Sequence, residues 1–357
     1  MAGFQTHREA LAMIAFLGTR VGLVMVVLLG AGGGSFAEPL SAGPAPPLTT
    51  SAPTLLFKSN FGPGVSLGAP RNLYAPSTGG GGGWQDLAGT DRETGFIWPV
   101  AALGAKFSGI QLITVDPITP ETVGEHITAE IRQVPGPNGT PVSALFQRVH
   151  KKAPAGMVPA GKGHAQAPLI LIRPAALGDV PDVYLSYWFK HQADLATQLD
   201  NTVPAGNWRA QFEFKTGGYR GIDGQGDYRI ITYVMKGADG RLFWRAKGDN
   251  DANGPRVGPR VDYWIEDNSR VPVPVDAWFK YEVFWHRSSG SDGRFWAAVN
   301  GQVVADHHGP NMGAYNLPIT RLMITTAYSG GHSGVQSLMT GLEIWNGFPC
   351  GVGVSCY

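Results

Sequence analysis

Cysteine is nearly absent from this 357-residue sequence: there are two, Cys350 and Cys356, both at its C-terminal end. That excludes a disulfide scaffold as the source of stability. With no CxxC spacing and no His beside them, a paired-cysteine metal or redox centre is excluded as well. A bond between Cys350 and Cys356 would close only a small ring, a clasp on the tail 350–357. Charge is scarce too. Charged residues make up 15% of the chain, and 28 Lys and Arg against 27 Asp and Glu leave a net charge of +1. No whole-molecule field therefore draws the chain to nucleic acid or to an anionic membrane. Beyond the first forty residues no apolar run is long enough for a membrane helix. GxSxG, HExxH and paired CxxC motifs are missing.

What is plentiful is turn chemistry and aromatic residues: 50 Gly, 27 Pro and an aromatic content of 10%. Residues 1–37 read as an export signal. His7 and Arg8 lie in a polar start, Arg20 precedes the apolar run 21–29, and Ser35-Phe36-Ala37 supplies small residues ahead of Glu38, the expected new N-terminus. Residues 38–53, dominated by Pro, Ala, Ser and Thr, read as a linker, and 54–349 as one domain. The expected location is secreted or periplasmic, with no membrane association after cleavage and a monomeric state.

The chain's organising stretch is 278–306. Phe279, Tyr281, Val283 and Trp285 alternate with Lys280, Glu282, Phe284 and His286, the period of two that buries one row of a strand. Phe295, Ala297 and Val299 repeat the pattern, and Asn300-Gly301 is the type I′ signal for a two-residue hairpin. Similar alternation marks strands over 183–189, 208–215, 227–235, 240–246, 319–327 and 338–345, with shorter ones at 55–61, 94–99 and 109–113. Residues 117–133 are the best helix candidate, with Val123, Ile127 and Ile131 at helical spacing after Thr119-Pro120-Glu121. The glycines 79–83 read as a mobile loop rather than a phosphate cradle, since no Lys-Ser/Thr follows. Residues 149–166 read as a basic loop. Strands every ten to fifteen residues with turns between them predict a β-sandwich or jelly roll.

Three features carry a family resemblance: the opening Leu56-Phe57-Lys58-Ser59-Asn60-Phe61; Trp278-Phe279-Lys280-Tyr281-Glu282-Val283 followed by Asp292-Gly293 and Asn300-Gly301-Gln302; and the closing Leu342-Glu343-Ile344-Trp345. Together they resemble the concanavalin A-like jelly roll of polysaccharide lyases (heparin lyase-like and alginate lyase-like) and glucanases. The resemblance implies an all-β sandwich of two antiparallel sheets, with one or two short helices in the N-terminal half. It also implies neighbouring first and last strands and a groove for an extended glycan. Such lyases carry Gln-x-His on one groove strand; the nearest match is Gln211-Phe212-Glu213. Their Lys-x-Gly-x-Tyr has its nearest match in Ile324-Thr325-Thr326-Ala327-Tyr328.

The residues then suggest a site. Arg209, Gln211, Glu213 and Lys215 would share one strand face. On a groove they could carry out β-elimination on a uronate, with Arg209 or Lys215 neutralising the carboxylate, Gln211 sharing it, and Tyr328, His286 or His332 as base. Trp188, Tyr184, Tyr233 and Trp244 could stack on sugar rings, or simply fill the core. Glu213 could instead serve a glycoside hydrolase, given a second carboxylate. Asp249, Asp251 and Asn253 alternate like the first half of a Ca²⁺ loop, although Arg260 stands where a closing Glu belongs; otherwise no cofactor is required. Three functions stay open: a lyase acting on an acidic glycan, a non-catalytic glycan-binding or cell-envelope protein, and a hydrolase using Glu213.

Overall fold

The computed structural model describes residues 52–74, 81–100, 103–105, 108–114, 119–150, 167–172, 181–200, 206–217, 226–250, 261–313, 316–324 and 334–350, all within the unit Ala42–Tyr357. The export signal, most of the linker, Gly79 and Gly80, nearly all of the basic loop, Asp251, Asn253, Tyr328, His332 and Cys356 lie outside the described residues. Cys350 is disulfide-bonded.

The strands, in chain order, begin with β1 Leu55–Ser59, β2 Ser66–Leu67, β3 Arg71–Tyr74, β4 Gly81–Thr90, β5 Ile97–Trp98 and β6 Ser108–Thr114. After the one-turn helix α1 Val123–His126 come β7 Ile127–Pro135, β8 Pro141–Val149, β9 Ala167–Ile172 and β10 Asp182–His191. A second one-turn helix, α2 Leu195–Gln198, precedes β11 Trp208–Gly217, β12 Gly226–Lys236, β13 Leu242–Asp249 and β14 Asp262–Asn268. The set ends with β15 Trp278–His286, β16 Arg294–Val299, β17 Gln302–His308, β18 Ile319–Ile324 and β19 Gln336–Trp345. The smaller sheet runs β17-β16-β15-β10-β19-β8-β7, and the larger β14-β13-β12-β11-β18-β9-β6-β4-β2, all in antiparallel pairs. As the resemblance implied, the first and last strands are neighbours: β1 lies along β19, Ser59 opposite Leu342. The architecture is an all-β sandwich.

One buried cluster lies between the sheets. Phe189, Phe279, Tyr281, Val283 and Trp285 of the smaller sheet meet Phe212, Phe214, Ile230, Val234 and Trp244 of the larger. Fully burying a side chain of this size contributes roughly 1.5–3 kcal/mol, which is why the aromatic alternation dictates the face. The hairpin turn is as the sequence demanded: Asn300 and Gly301 both adopt positive φ, 49° and 76°. At the sandwich edge the outermost strands touch, the Asp306 backbone N–H donating to Glu266 (2.8 Å) while His307 stacks on Trp264 at 4.2 Å.

Two expectations fail for identifiable reasons. The helix over 117–133 shrinks to Val123–His126, and Ile127 onward forms β7. Its Ile, Thr and Val residues are β-branched and alternate, and β8 supplies a full ladder of partners. Gly81–Gly83 open strand β4 instead of a loop. At Gly83 a Cβ would collide with Leu73 of the adjoining strand, so glycine permits a close approach there.

The feature that positions the site is a bulge in β11. Ala210 pairs with Tyr233 but Phe212 pairs with Thr232, leaving Gln211 as the extra residue. Gln211 and Phe212 therefore both face the sandwich interior, and every side chain after them changes sides. The Tyr187 hydroxyl, reaching across from β10, donates to the Gln211 carbonyl (3.0 Å), and Gln211 Nε2 donates back to that hydroxyl oxygen (3.2 Å). Replacing Tyr187 with Phe leaves these buried groups without a partner. It should cost about 1–3 kcal/mol of unfolding free energy with the denaturant slope unchanged, measured by urea titration.

Candidate functional site

Past the bulge, β11 turns Glu213 and Lys215 to the outer face of the larger sheet. Register then builds a grid around them. Lys215 stands opposite Arg321 of β18 on one side and Arg229 of β12 on the other, and Arg229 stands opposite Asp249 of β13. One row along, Glu213 lies between Met323 and Ile231, with Lys247 beyond. Ala210, Tyr233 and Met235 continue the face as a small apolar patch beside Trp208. Five cations (Lys215, Arg229, Arg245, Lys247, Arg321) thus meet four carboxylates (Glu213, Asp249, Asp262, Asp267) on one surface.

The pairing within the grid is uneven. Arg229 grips Asp249 with two parallel bonds, Nε to Oδ1 at 2.9 Å and Nη2 to Oδ2 at 2.5 Å. Such a fork is the strongest geometry a guanidinium offers a carboxylate. Lys247 Nζ bridges Asp249 (3.1 Å) and Asp262 (2.8 Å). Glu213 differs. Lys215 Nζ lies 3.2 Å from Oε2, but neither carboxylate oxygen accepts a hydrogen bond, so the contact is Coulombic and off the hydrogen-bonding direction. Glu213 is fully buried and Lys215 nearly so, whereas Arg229 and Arg321 each keep 8% of their surface exposed. The arrangement is a positively weighted floor with two carboxylates, Glu213 and Asp249, buried inside it.

The row Arg209–Lys215 does not share one face, which corrects the sequence-based expectation. Arg209 precedes the bulge and points between the sheets, its guanidinium 5.7 Å over the Phe189 ring, and Gln211 points inward to Tyr187. The aromatic candidates scatter in the same way. Trp244 is core, packed on Tyr281 at 5.7 Å. Tyr184 belongs to a buried cluster on the outer face of the smaller sheet with Phe284, Trp296 and Trp345. Its hydroxyl donates to Glu282 (2.6 Å), and burial above all, then that carboxylate, raises its pKa far above the usual phenol range. Trp188 is half-buried on the same outer face of the smaller sheet. Only Tyr233 shares a surface with Glu213 and Lys215. His286 is also on the smaller sheet, its Nδ1 2.6 Å from Asp182 Oδ1, so it cannot act on a ligand of the larger sheet. Burial pushes the Asp182 carboxyl above the usual range, with His286 pulling against it. The oxygens of Asp249, a candidate calcium ligand, are taken by Arg229 and Lys247, and no group of three or more metal-ligating side chains occurs among the described residues.

The sequence reading missed Lys247 because β13 extends further than turn chemistry suggests, and Arg321, inside an expected strand, because only the register of β18 on β11 sets it beside Lys215. Gly248 resembles the start of a loop, yet it lies in β13, where a Cβ would collide with the Tyr228 hydroxyl and the Trp264 ring. The signal was the alternation Arg245-x-Lys247-x-Asp249, which matches Tyr233, Ile231 and Arg229 pair by pair.

No protein-family model and no curated protein matches the sequence. Solved structures with a similar chain path include the alginate lyase Aly36B (19% identity, 60% of this chain and 82% of that one, TM-score 0.39). An endo-β-1,4-glucuronan lyase from the fungus Trichoderma reesei matches at 11% identity over 61% and 87%, TM-score 0.42. The alginate lyase vAL-1 from Chlorella virus matches at 10% identity over 62% and 90%, TM-score 0.38. Likenesses this distant leave the chemistry to the side chains. Among the described residues no helix is long and apolar enough to cross a membrane.

Breaking the Arg229–Asp249 fork tests the grid. Arg229→Met leaves the buried Asp249 carboxylate with Lys247 alone and should lower stability by about 1.5–3 kcal/mol, and the double change with Asp249→Leu should recover much of that loss in a denaturant titration.

Proposed function

We propose that this protein is an exported polysaccharide lyase that lays an acidic, uronate-containing glycan across the outer face of the larger sheet and cleaves it by β-elimination. The observation that carries the reading is the cationic floor: Lys215, Arg229, Lys247 and Arg321 on four adjoining strands of a chain whose net charge is only +1. Arg229 and Arg321, the rim of that floor, meet the sugar carboxylate, with Lys215 beneath them. Neutralising the carboxylate acidifies the hydrogen on the carbon next to it. A base removes that proton; the released pair forms a carbon–carbon double bond; the bond to the glycosidic oxygen on the far carbon breaks, and that oxygen leaves with a proton. Tyr328, four residues beyond the end of β18, is the proposed base, with His332 as the further candidate, and Glu213 orients Lys215. Tyr233 offers an aromatic surface to a sugar ring along the same face. Calcium is not needed for any step.

The test is ultraviolet absorbance of the conjugated product while the protein is mixed with a panel of uronate polymers, with and without Ca²⁺. A rise is expected. Arg321→Ala should lower kcat/KM at least about tenfold, a loss of roughly 1.4 kcal/mol of transition-state stabilisation, and Tyr328→Phe should lower kcat further. Trp188→Ala, on the opposite sheet, should change neither. New reducing ends without absorbance would transfer the chemistry to a hydrolase built on Glu213. Neither signal with any polymer would leave a glycan-binding or cell-envelope protein.

A further inference from the structure

The same bulge that sends Glu213 outward leaves Arg209 inside, in a setting with no acid among the described residues. Arg209 is fully buried; Nη1 donates to the Gln336 carbonyl of β19 (3.2 Å), and Nε and Nη2 have no partner. Facing it from the smaller sheet is a polar row across three strands. Gln147 of β8 stands opposite Ser337 of β19, which stands opposite His191 of β10. Adjacent strands lie about 4.8 Å apart, so the three side chains form one compact line. They project to the interior, each two residues along its strand from the core residues Leu145, Met339 and Phe189. Gln147 and His191 are fully buried, and both amide atoms of Gln147 and both ring nitrogens of His191 lack partners. The guanidinium and His191 converge on the Phe189 ring, at 5.7 Å and 4.9 Å.

Six unpartnered polar atoms on three fully buried side chains are far more than a well-packed interior leaves unsatisfied. A buried guanidinium without a counter-charge costs several kcal/mol. Burial lowers the Arg209 pKa to about 9 and holds His191 well below its ordinary range, aided by the Arg209 charge. The chemistry of the set is one-sided: Arg209 can only donate, Gln147 adds two amide hydrogens, and His191 adds one more donor. Carboxylates are missing from it.

From this we infer that Arg209, Gln147 and His191 form a site between the sheets for one small inorganic anion of halide size, which serves as the counter-ion of Arg209 and joins β11 to β8 and β10. The site is separate from the outer-face floor, and its occupancy does not depend on what the protein cleaves.

Bromide is the probe. Crystals of the mature protein grown in sodium bromide should show an anomalous peak within hydrogen-bonding distance of Arg209 Nη2 and Gln147 Nε2. In solution the thermal midpoint should rise with bromide and then saturate, and should stay flat when gluconate, too large to be enclosed, replaces bromide at equal ionic strength. Arg209→Gln should abolish the difference between the two salts. Gln147→Glu, which supplies an internal carboxylate, keeps the test valid if that variant does not fold: it should be as stable in gluconate as the parent is in saturating bromide. A midpoint indifferent to the anion, or density for water alone at this position, overturns the inference.

Discussion

A single hydrogen-bonded contact across the sandwich, between the Tyr187 hydroxyl and the carbonyl and side-chain amide of Gln211, fixes where everything else on β11 points. A bulge inserts one residue into a ladder, and its backbone groups must find partners elsewhere. Here the partner comes from the opposite sheet, so the bulge is tied to the core rather than being a local irregularity. Without it, regular alternation from Arg209 would bring Glu213 and Lys215 into the aromatic core and expose Phe212 and Phe214, exchanging two paired charges for two large apolar groups. The contact thus couples sheet packing directly to the composition of the outer face.

The two faces of β11 solve the problem of charge in opposite ways. On the outer face, cations and carboxylates are interleaved strand by strand, with the Arg229–Asp249 fork and the Lys247 bridge holding the grid in one geometry. A rigid floor of this kind keeps its charges placed before a ligand arrives, which lowers the cost of binding. On the inner face Arg209 has polar neighbours and an aromatic ring but, among the described residues, no acid, and these neighbours leave most of its hydrogen-bonding capacity unused. The positive weighting of the floor and the counter-charge missing from the interior both follow from the position of one extra residue.

Much of the fold was legible in the sequence because alternation reports burial directly. Phe279 to Trp285 and Asn300-Gly301 behave as their pattern requires, and the pairing of β1 with β19 follows the resemblance. The site was less legible, for the same reason. A period of two assumes an unbroken strand, and nothing in Trp208-Arg209-Ala210-Gln211-Phe212 marks the bulge: Gln211 is neither Gly nor Pro, and its inward turn is set by Tyr187, far away in sequence. Arg209 and Gln211 were therefore grouped with Glu213 and Lys215, which lie on the other side. Lys247 escaped because Gly248 has the local chemistry of a turn and the tertiary role of a strand residue packed against Tyr228 and Trp264. His286 and Trp188 show that the pattern of a strand does not tell which of the two sheets it joins.

The most direct test of the account is an amide NMR titration of the protein with a short acidic oligouronate. Shift changes concentrated at Glu213, Lys215, Arg229, Lys247 and Arg321, with Trp188, Tyr184 and His286 unmoved, are the predicted result. Changes centred on the outer face of the smaller sheet, or none at a saturating concentration of oligouronate, would contradict the assignment of the functional face to β11, β12, β13 and β18.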